Sequence, residues 1–338
     1  MRAVFRADAS AETGGGHVMR CLALAGEMSA ADWTCGFAVG PETLDTVPAL
    51  AHAGHPWVEL DATVEDEVRA LKERWTDGVD WLVVDHYGRD AAFEVACRPW
   101  AERIMVIDDL ADRHHDCDVL LDQTLGRDGE DYGSLVPGDC RRLLGPRFAL
   151  LRPQFREARA KALERRDGDF TVRHLLVSMG GSDPREFTSR VLKGIAEAAV
   201  AVAVDVVAPS AGSGQLRELA ESLPFPIAVH ADVADMAALM ARADIAIGAA
   251  GSTSWERCCL GLPSLLIVTA ENQRMIAERL EFAGAADGLG WHADVDAAGI
   301  AAALRRLNGD AGRRRQMSAR AAEVCDGLGA VRVREQLS

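Results

Sequence analysis

R-A-D-A-S-A-E-T-G-G-G-H-V-M-R-C, residues 6–21, decides the fold. The stretch leaves a short apolar strand (Ala3, Val4, Phe5), turns on three consecutive glycines, and enters a helix with His17 in its first turn. A strand that runs through glycines straight into a helix opens a βα unit, and glycines there let the backbone approach a ligand closely. The free N–H groups of a helix start favour an anion. Histidine is the side chain that exchanges a proton near neutral pH without help from its surroundings. The turn therefore reads as an active site, with His17 as proton acceptor and Gly15 and Gly16 beside the ligand. Arg20, one helical turn on, either orients a substrate or caps nearby carbonyls. The G-x-G-x-x-G fingerprint is not matched, because Gly14–Gly16 lead into His17, Val18 and Met19, so no nicotinamide cofactor is expected.

Outward from this turn, apolar runs alternate with amphipathic helical patterns. The first half predicts strands near 2–7, 33–39, 56–60, 80–85, 103–108 and 117–122, with helical stretches near 17–30, 41–53, 64–76 and 89–100. The second half repeats the scheme, with strands near 172–179, 202–208, 225–230, 244–248, 263–268 and 285–289 and three helices after 296. Such alternation implies parallel sheets covered by helices on both faces. With 338 residues, beyond what one core sustains, two facing doubly wound domains with a cleft between them are expected. They would span 1–165 and 166–325, with a polar helix over 147–166 at the join and a last helix, about 326–338, leaning back on the first domain. Ligands belong at the carboxyl ends of such strands.

Composition narrows the function. A formal charge of −15 repels nucleic acid and anionic membranes, so any phosphate must be held by local backbone geometry. Aromatic residues are only 5%, too few for extensive base stacking, and no apolar run approaches the roughly 20 residues of a membrane span. Neither a nucleic-acid partner nor stable membrane association is expected. Eight cysteines without a C-x-x-C pair, most within apolar segments, read as buried thiols of a reducing cytoplasm. The amino terminus enters a strand at once and carries Arg2 and Arg6, unlike a signal peptide.

Two further turns are phosphate-compatible. V-S-M-G-G-S-D-P, residues 177–184, ends a strand in Gly180 and Gly181 and opens a helix, although a well-capped helix start needs no ligand. I-G-A-A-G-S-T-S-W-E-R-C-C-L-G-L, residues 247–262, ends a strand in glycines and starts a helix with Ser252, Thr253 and Ser254, a combination suited to cradling a diphosphate. Glu256, one turn inside, suits both hydroxyls of a ribose or simple dipole stabilisation, and Asn272 and Gln273 open the next helix. His114–Asp118 imitates a metal cluster, but adjacent residues cannot all face one ion; Asp294 and Asp296 precede a helix and read as capping. No metal or other cofactor is expected.

Together with V-V-D-H-Y (83–87), I-D-D-L-A-D-R (107–113), C-D-V-L-L-D-Q (117–123) and G-P-R-F-A-L-L-R-P-Q-F (145–155), these motifs make a distinctive set. Over nearly its whole length the chain resembles the UDP-2,4-diacetamido-2,4,6-trideoxy-β-L-altropyranose hydrolase family of pseudaminic acid biosynthesis. That family has the two-Rossmann GT-B fold and is similar in its second half to the N-acetylglucosaminyltransferase that makes lipid II. The resemblance implies a metal-independent hydrolase that releases UDP from a UDP-sugar with inversion at the anomeric carbon. It further implies that His17 is the catalytic base and Tyr87 faces the sugar, while Ser252, Thr253, Glu256 and Asn272 line the nucleotide or substrate pocket. One position departs: where the family often has asparagine two residues after D-P, this chain has Glu186, unfavourable beside a diphosphate. The rivals are a glycosyltransferase with the same donor site and an acceptor in place of water, and a non-catalytic nucleotide-sugar-binding subunit.

Overall fold

The computed structural model describes residues 1–10, 12–60, 64–168, 171–180, 187–208, 213–231 and 233–338. The chain forms two compact units, Met1–Arg152 with Leu328–Ser338, and Pro153–Gly327.

Among the described residues the first unit holds seven parallel strands, β1 (Arg2–Ala7), β2 (Thr34–Val39), β3 (Trp57–Glu59), β4 (Val79–Asp85), β5 (Ala101–Ile107), β6 (Val119–Asp122) and β7 (Arg141–Leu144). Their order is β3-β2-β1-β4-β5-β6-β7. Alternation along the strands divides the core in two, since successive side chains leave opposite faces. Ala3, Phe5, Ala7, Phe37, Trp81 and Val83 meet helix Gly16–Ser29 through Val18, Cys21, Leu24 and Met28. Val4, Ala38, Leu82 and Val84 meet Leu71, Trp75, Phe93 and Trp100 on the other face. Helices on both faces explain why these strands read as continuous apolar runs.

Helix Gly329–Leu337 belongs to this unit, where Ala330, Val333 and Leu337 join the first of these cores. The Trp81 indole donates to the Leu337 carbonyl at 3.1 Å. At Gly329 an added Cβ would lie 2.2 Å from the Ala149 carbonyl oxygen, so only glycine permits that approach.

Among the described residues the second unit holds six parallel strands, β8 (His174–Ser178), β9 (Ala203–Val207), β10 (Ile227–His230), β11 (Ile245–Ala249), β12 (Ser264–Val268) and β13 (Asp287–Trp291), ordered β10-β9-β8-β11-β12-β13. Its core gathers Leu175, Val177, Ile247, Leu265 and Ile267 against Val191, Ile195, Ile300 and Leu304. In both sheets the order reverses about one pair, β1/β4 and β8/β11, and the carboxyl ends of those pairs are where ligands of doubly wound sheets bind.

Local structure departs from the sequence expectation in three places. β7 is an additional strand, hidden by its R-R-L-L composition. The helix expected over 41–53 is two single turns, Thr43–Thr46 and Ala49–His52, separated at Pro48. The helix expected from 147 begins at Pro153, because proline disfavours the helical region for the residue before it and suits a first helical position. That helix lies wholly in the second unit, so the division falls earlier than 165. All eight cysteines are buried thiols. No helix among the described residues is long and apolar enough to cross a membrane.

Candidate active site

β1 and β4 lie side by side with Ala7 paired to Asp85, so the two connections that leave these strands start at one point of the sheet edge. After β1 the chain turns at Gly14, whose φ of 72° is a left-handed conformation, and helix Gly16–Ser29 begins. Gly15 serves packing: a Cβ there would come 2.6 Å from Val47 Cγ2. Gly16 is the first helical residue and His17 the second.

Asp85, the last residue of β4, is fully buried and binds three side chains of that helix. Nδ1 of His17 lies 2.6 Å from its Oδ1, and Arg20 donates through Nε to Oδ2 and through Nη2 to Oδ1, each at 2.6 Å. Cys21 Sγ adds a 3.5 Å contact to Oδ2. Burial alone would raise the Asp85 pKa, but the charge of Arg20 and the imidazole of His17 outweigh it and hold the carboxyl well below its usual range. An ionised carboxylate only accepts, so Nδ1 of His17 carries a proton, and in the neutral imidazole Nε2 is the nitrogen with the lone pair. Nε2 has no hydrogen-bond partner among the described residues, and the imidazole side chain keeps 11% exposure. This is the geometry of an oriented base.

The edge of the His17 ring meets Tyr87 at a centroid distance of 4.6 Å and 84°. The Tyr87 hydroxyl donates to Asp109 Oδ2 at 3.2 Å, and Arg20 Nη1 lies 4.0 Å from the same oxygen. Burial pushes the Asp109 carboxyl up against the opposing pull of Arg20 and His17. Arg20, expected either on substrate or on helix carbonyls, thus spends its fork on Asp85.

A second histidine lies next to this group and does a different job. His86 Nδ1 accepts from the Gly88 N–H at 2.8 Å, so its proton is on Nε2, which donates to Asp8 Oδ2 at 2.9 Å. Both nitrogens are used, and His86 is no base. Asp8 also accepts from the Gly40 N–H at 2.5 Å and from Arg6 Nη2 at 3.1 Å. Against the upward push of burial, bonds from His86 and Arg6 keep Asp8 below the usual carboxylate range.

These depressed carboxyls set a pH dependence. Stability contributed by ionised Asp85 is complete above the unfolded value of about 3.9 and is lost as pH falls through the lower folded value. The urea midpoint of wild type should exceed that of Asp85→Asn near neutrality, and the gap should narrow below about pH 4. A gap independent of pH would mean that Asp85 is not ionised in the folded protein.

In the second unit Gly180 has a φ of 95°, while Gly181 and Glu186 lie outside the described residues. At the end of β11, helix Thr253–Cys259 follows a turn whose Ser254 N–H bonds the Gly251 carbonyl at 2.9 Å. The hydroxyls of Ser252 and Thr253 make no hydrogen bond among the described residues, and Ser252 does not cap the helix with its side chain. Ser254 differs from its neighbours: it is buried and its Oγ accepts from Arg257 Nη2 at 3.0 Å. Gln273 Oε1 accepts from the Thr269 N–H at 2.9 Å and the Thr269 hydroxyl at 3.0 Å, which turns its amide nitrogen toward Gly251. Asn272 shares the short turn Glu271–Gln273, and Glu256 stands in the first turn after Ser252. Ser252, Thr253, Glu256 and Gln273 therefore gather around one strand end.

The metal-like run is dispersed into structural pairs. His115 Nδ1 meets Glu94 Oε1 at 2.7 Å, and Arg98 donates to Asp116 at 2.8 Å and to Asp118 at 2.6 Å. Asp296 accepts from the Gly299 N–H at 2.8 Å as a helix cap. Sequence reading missed Asp85 and Arg257. The available signal for Asp85 was an acidic residue closing an apolar strand beside the His17 turn; Arg257 carried none.

The fold defines a class. Residues 175–329 match the glycosyltransferase family 28 C-terminal domain. The chain also superposes on MurG of Acinetobacter baumannii with a TM-score of 0.71 at 14% identity, covering 100% of this chain and 99% of that one. The architecture is accordingly GT-B, two Rossmann-like parallel-sheet units. The similarity then becomes particular. Over 281 residues, 82% of this chain and 95% of the relative, it is 26% identical to the UDP-2,4-diacetamido-2,4,6-trideoxy-β-L-altropyranose hydrolase of Campylobacter jejuni. The spore coat polysaccharide biosynthesis protein SpsG of Bacillus subtilis is 30% identical over 167 residues, 46% of this chain and 45% of SpsG. The resemblance read from the motifs thus extends to a match over most of the chain.

Proposed function

We propose that this protein processes a UDP-sugar in sugar biosynthesis, and specifically that it hydrolyses the sugar–phosphate bond to give UDP and free sugar. The observation that carries this reading is His17, oriented through Nδ1 by buried Asp85 with Nε2 left as an acceptor at the sheet's switch point. The similarity to the Campylobacter jejuni hydrolase supports UDP-2,4-diacetamido-2,4,6-trideoxy-β-L-altropyranose as substrate, which would place the reaction in pseudaminic acid biosynthesis.

In this mechanism Nε2 of His17 takes a proton from water as the water oxygen bonds to the anomeric carbon. The anomeric C–O bond breaks, its electron pair leaves with UDP, and attack opposite the leaving group inverts the centre. General-base assistance of this kind contributes about 10²–10⁴-fold in rate. Asp85 stabilises the imidazolium that forms and fixes the tautomer. Tyr87, against the imidazole, would face the sugar. The main-chain amides and the hydroxyls of Ser252 and Thr253 would hold the diphosphate, with Glu256 on the ribose and Asn272 and Gln273 nearby. Charge developing on UDP needs only such fixed donors, so no metal step is invoked.

A glycosyltransferase is the second reading, favoured by the family 28 match over 175–329. Incubating the purified protein with a panel of UDP-sugars and no acceptor separates them. Release of UDP and free sugar, detected by mass spectrometry, is expected; UDP release only on adding an acceptor would replace hydrolysis with transfer. Binding without turnover under either condition would leave a nucleotide-sugar-binding subunit.

A further inference from the structure

Arg257 is a cation sealed in the second unit, and no carboxylate among the described residues is bonded to it. It is 2% exposed, Nη2 donates to the Ala249 carbonyl at 2.5 Å and to Ser254 Oγ at 3.0 Å, and Nε has no partner among the described residues. Glu256 acts on it through space. Burial lowers its pKa to about 10, which still leaves it charged at neutral pH. The chain makes room for it: at Gly248 an added Cβ would come 2.4 Å from Arg257 Nη1 and 2.3 Å from the Ser178 carbonyl oxygen. A buried cation without a counter-charge destabilises a fold, and an apolar side chain of similar size would serve packing better.

Its location supplies a reason. Both acceptors of Nη2 bracket the turn after β11, at the β8/β11 switch point, where the hydroxyls of Ser252 and Thr253 stand open. We infer that Arg257 is a positioning residue for a diphosphate: it fixes the Ala249–Ser254 turn from beneath and supplies the built-in counter-charge that a bound diphosphate completes. In the absence of ligand the charge is a cost to stability; with an anion on the turn it becomes a source of affinity. The inference rests on the proposed function in taking the nucleotide to be UDP and in placing its diphosphate on the turn after β11.

The test measures UDP and inorganic pyrophosphate affinity by calorimetry, with melting temperature beside it, for wild type, Arg257→Lys, Arg257→Met and Ser254→Ala. Wild-type binding of UDP is the control. Its absence would count against the UDP reading, whereas the inference is judged on how the variants bind. Arg257→Met should weaken UDP and pyrophosphate at least about tenfold, and Arg257→Lys, which keeps the charge, should lose no more than about threefold. Ser254→Ala covers the case in which Arg257→Met does not fold. The Ser254 side chain is fully buried and its Oγ accepts from Arg257, so a severalfold loss of UDP affinity there is expected to act through Arg257. A purely structural Arg257 would lower the melting temperature and leave affinity alone. UDP affinity within about twofold of wild type in folded Arg257→Met, or in Ser254→Ala, overturns the inference, as does Arg257→Lys binding as poorly as Arg257→Met.

Discussion

His17→Asn should lower turnover of a UDP-sugar by at least about 10²–10⁴-fold while leaving UDP affinity within about twofold of wild type. Asparagine keeps a polar group of similar reach toward Asp85 but has no nitrogen able to take up a proton. UDP affinity should survive because the groups proposed to hold the diphosphate belong to Pro153–Gly327, a different unit from His17. Steady-state kinetics together with calorimetry of UDP binding checks both halves. Near-normal turnover in the variant would remove the base. Equal loss of turnover and UDP affinity would make His17 a binding residue.

Asp85→Ala should cost about 3–5 kcal/mol of folding stability, because it leaves the buried guanidinium of Arg20 without its partner and His17 without its orienting acceptor. Turnover should fall as well, since imidazole could then adopt either tautomer. Equilibrium urea unfolding measures the first effect. Replacing Arg20 and Asp85 together should recover part of the stability, as expected when most of the penalty lies in the stranded charge rather than in a lost attraction. If the double variant is as unstable as the sum of the singles, the two residues act independently and the site is not held in this way.

The order of strands and helices was legible because parallel strands covered on both faces are continuous apolar runs, such as Val79–Asp85, and because glycine turns mark where each helix starts. β7 was not legible, since two of its four residues are arginines and a short edge strand need not be apolar. The helix expected from 147 began later because a proline constrains the residue before it, a local rule that the polar pattern of 147–152 concealed. His17 could be singled out from the glycines that precede it. Its partner could not: Asp85 stands 68 residues away, and only the pairing of β1 with β4 makes the two neighbours. The same holds for the contrast between two histidines. Nothing in the order H-V-M-R or D-H-Y tells that His86 has both nitrogens occupied while Nε2 of His17 has no partner among the described residues; that difference comes from the Gly88 amide and from Asp8. Nothing in W-E-R-C-C marks Arg257, which is set apart by its burial and by the lack of a bonded carboxylate among the described residues.

Turnover of UDP-2,4-diacetamido-2,4,6-trideoxy-β-L-altropyranose in ¹⁸O-enriched water, with both products weighed by mass spectrometry, tests the His17-activated water most directly. Attack at the anomeric carbon predicts heavy oxygen in the released sugar and none in UDP. Heavy oxygen in UDP would mean attack at phosphorus, and the assignment of His17 to a water at the sugar would then be wrong.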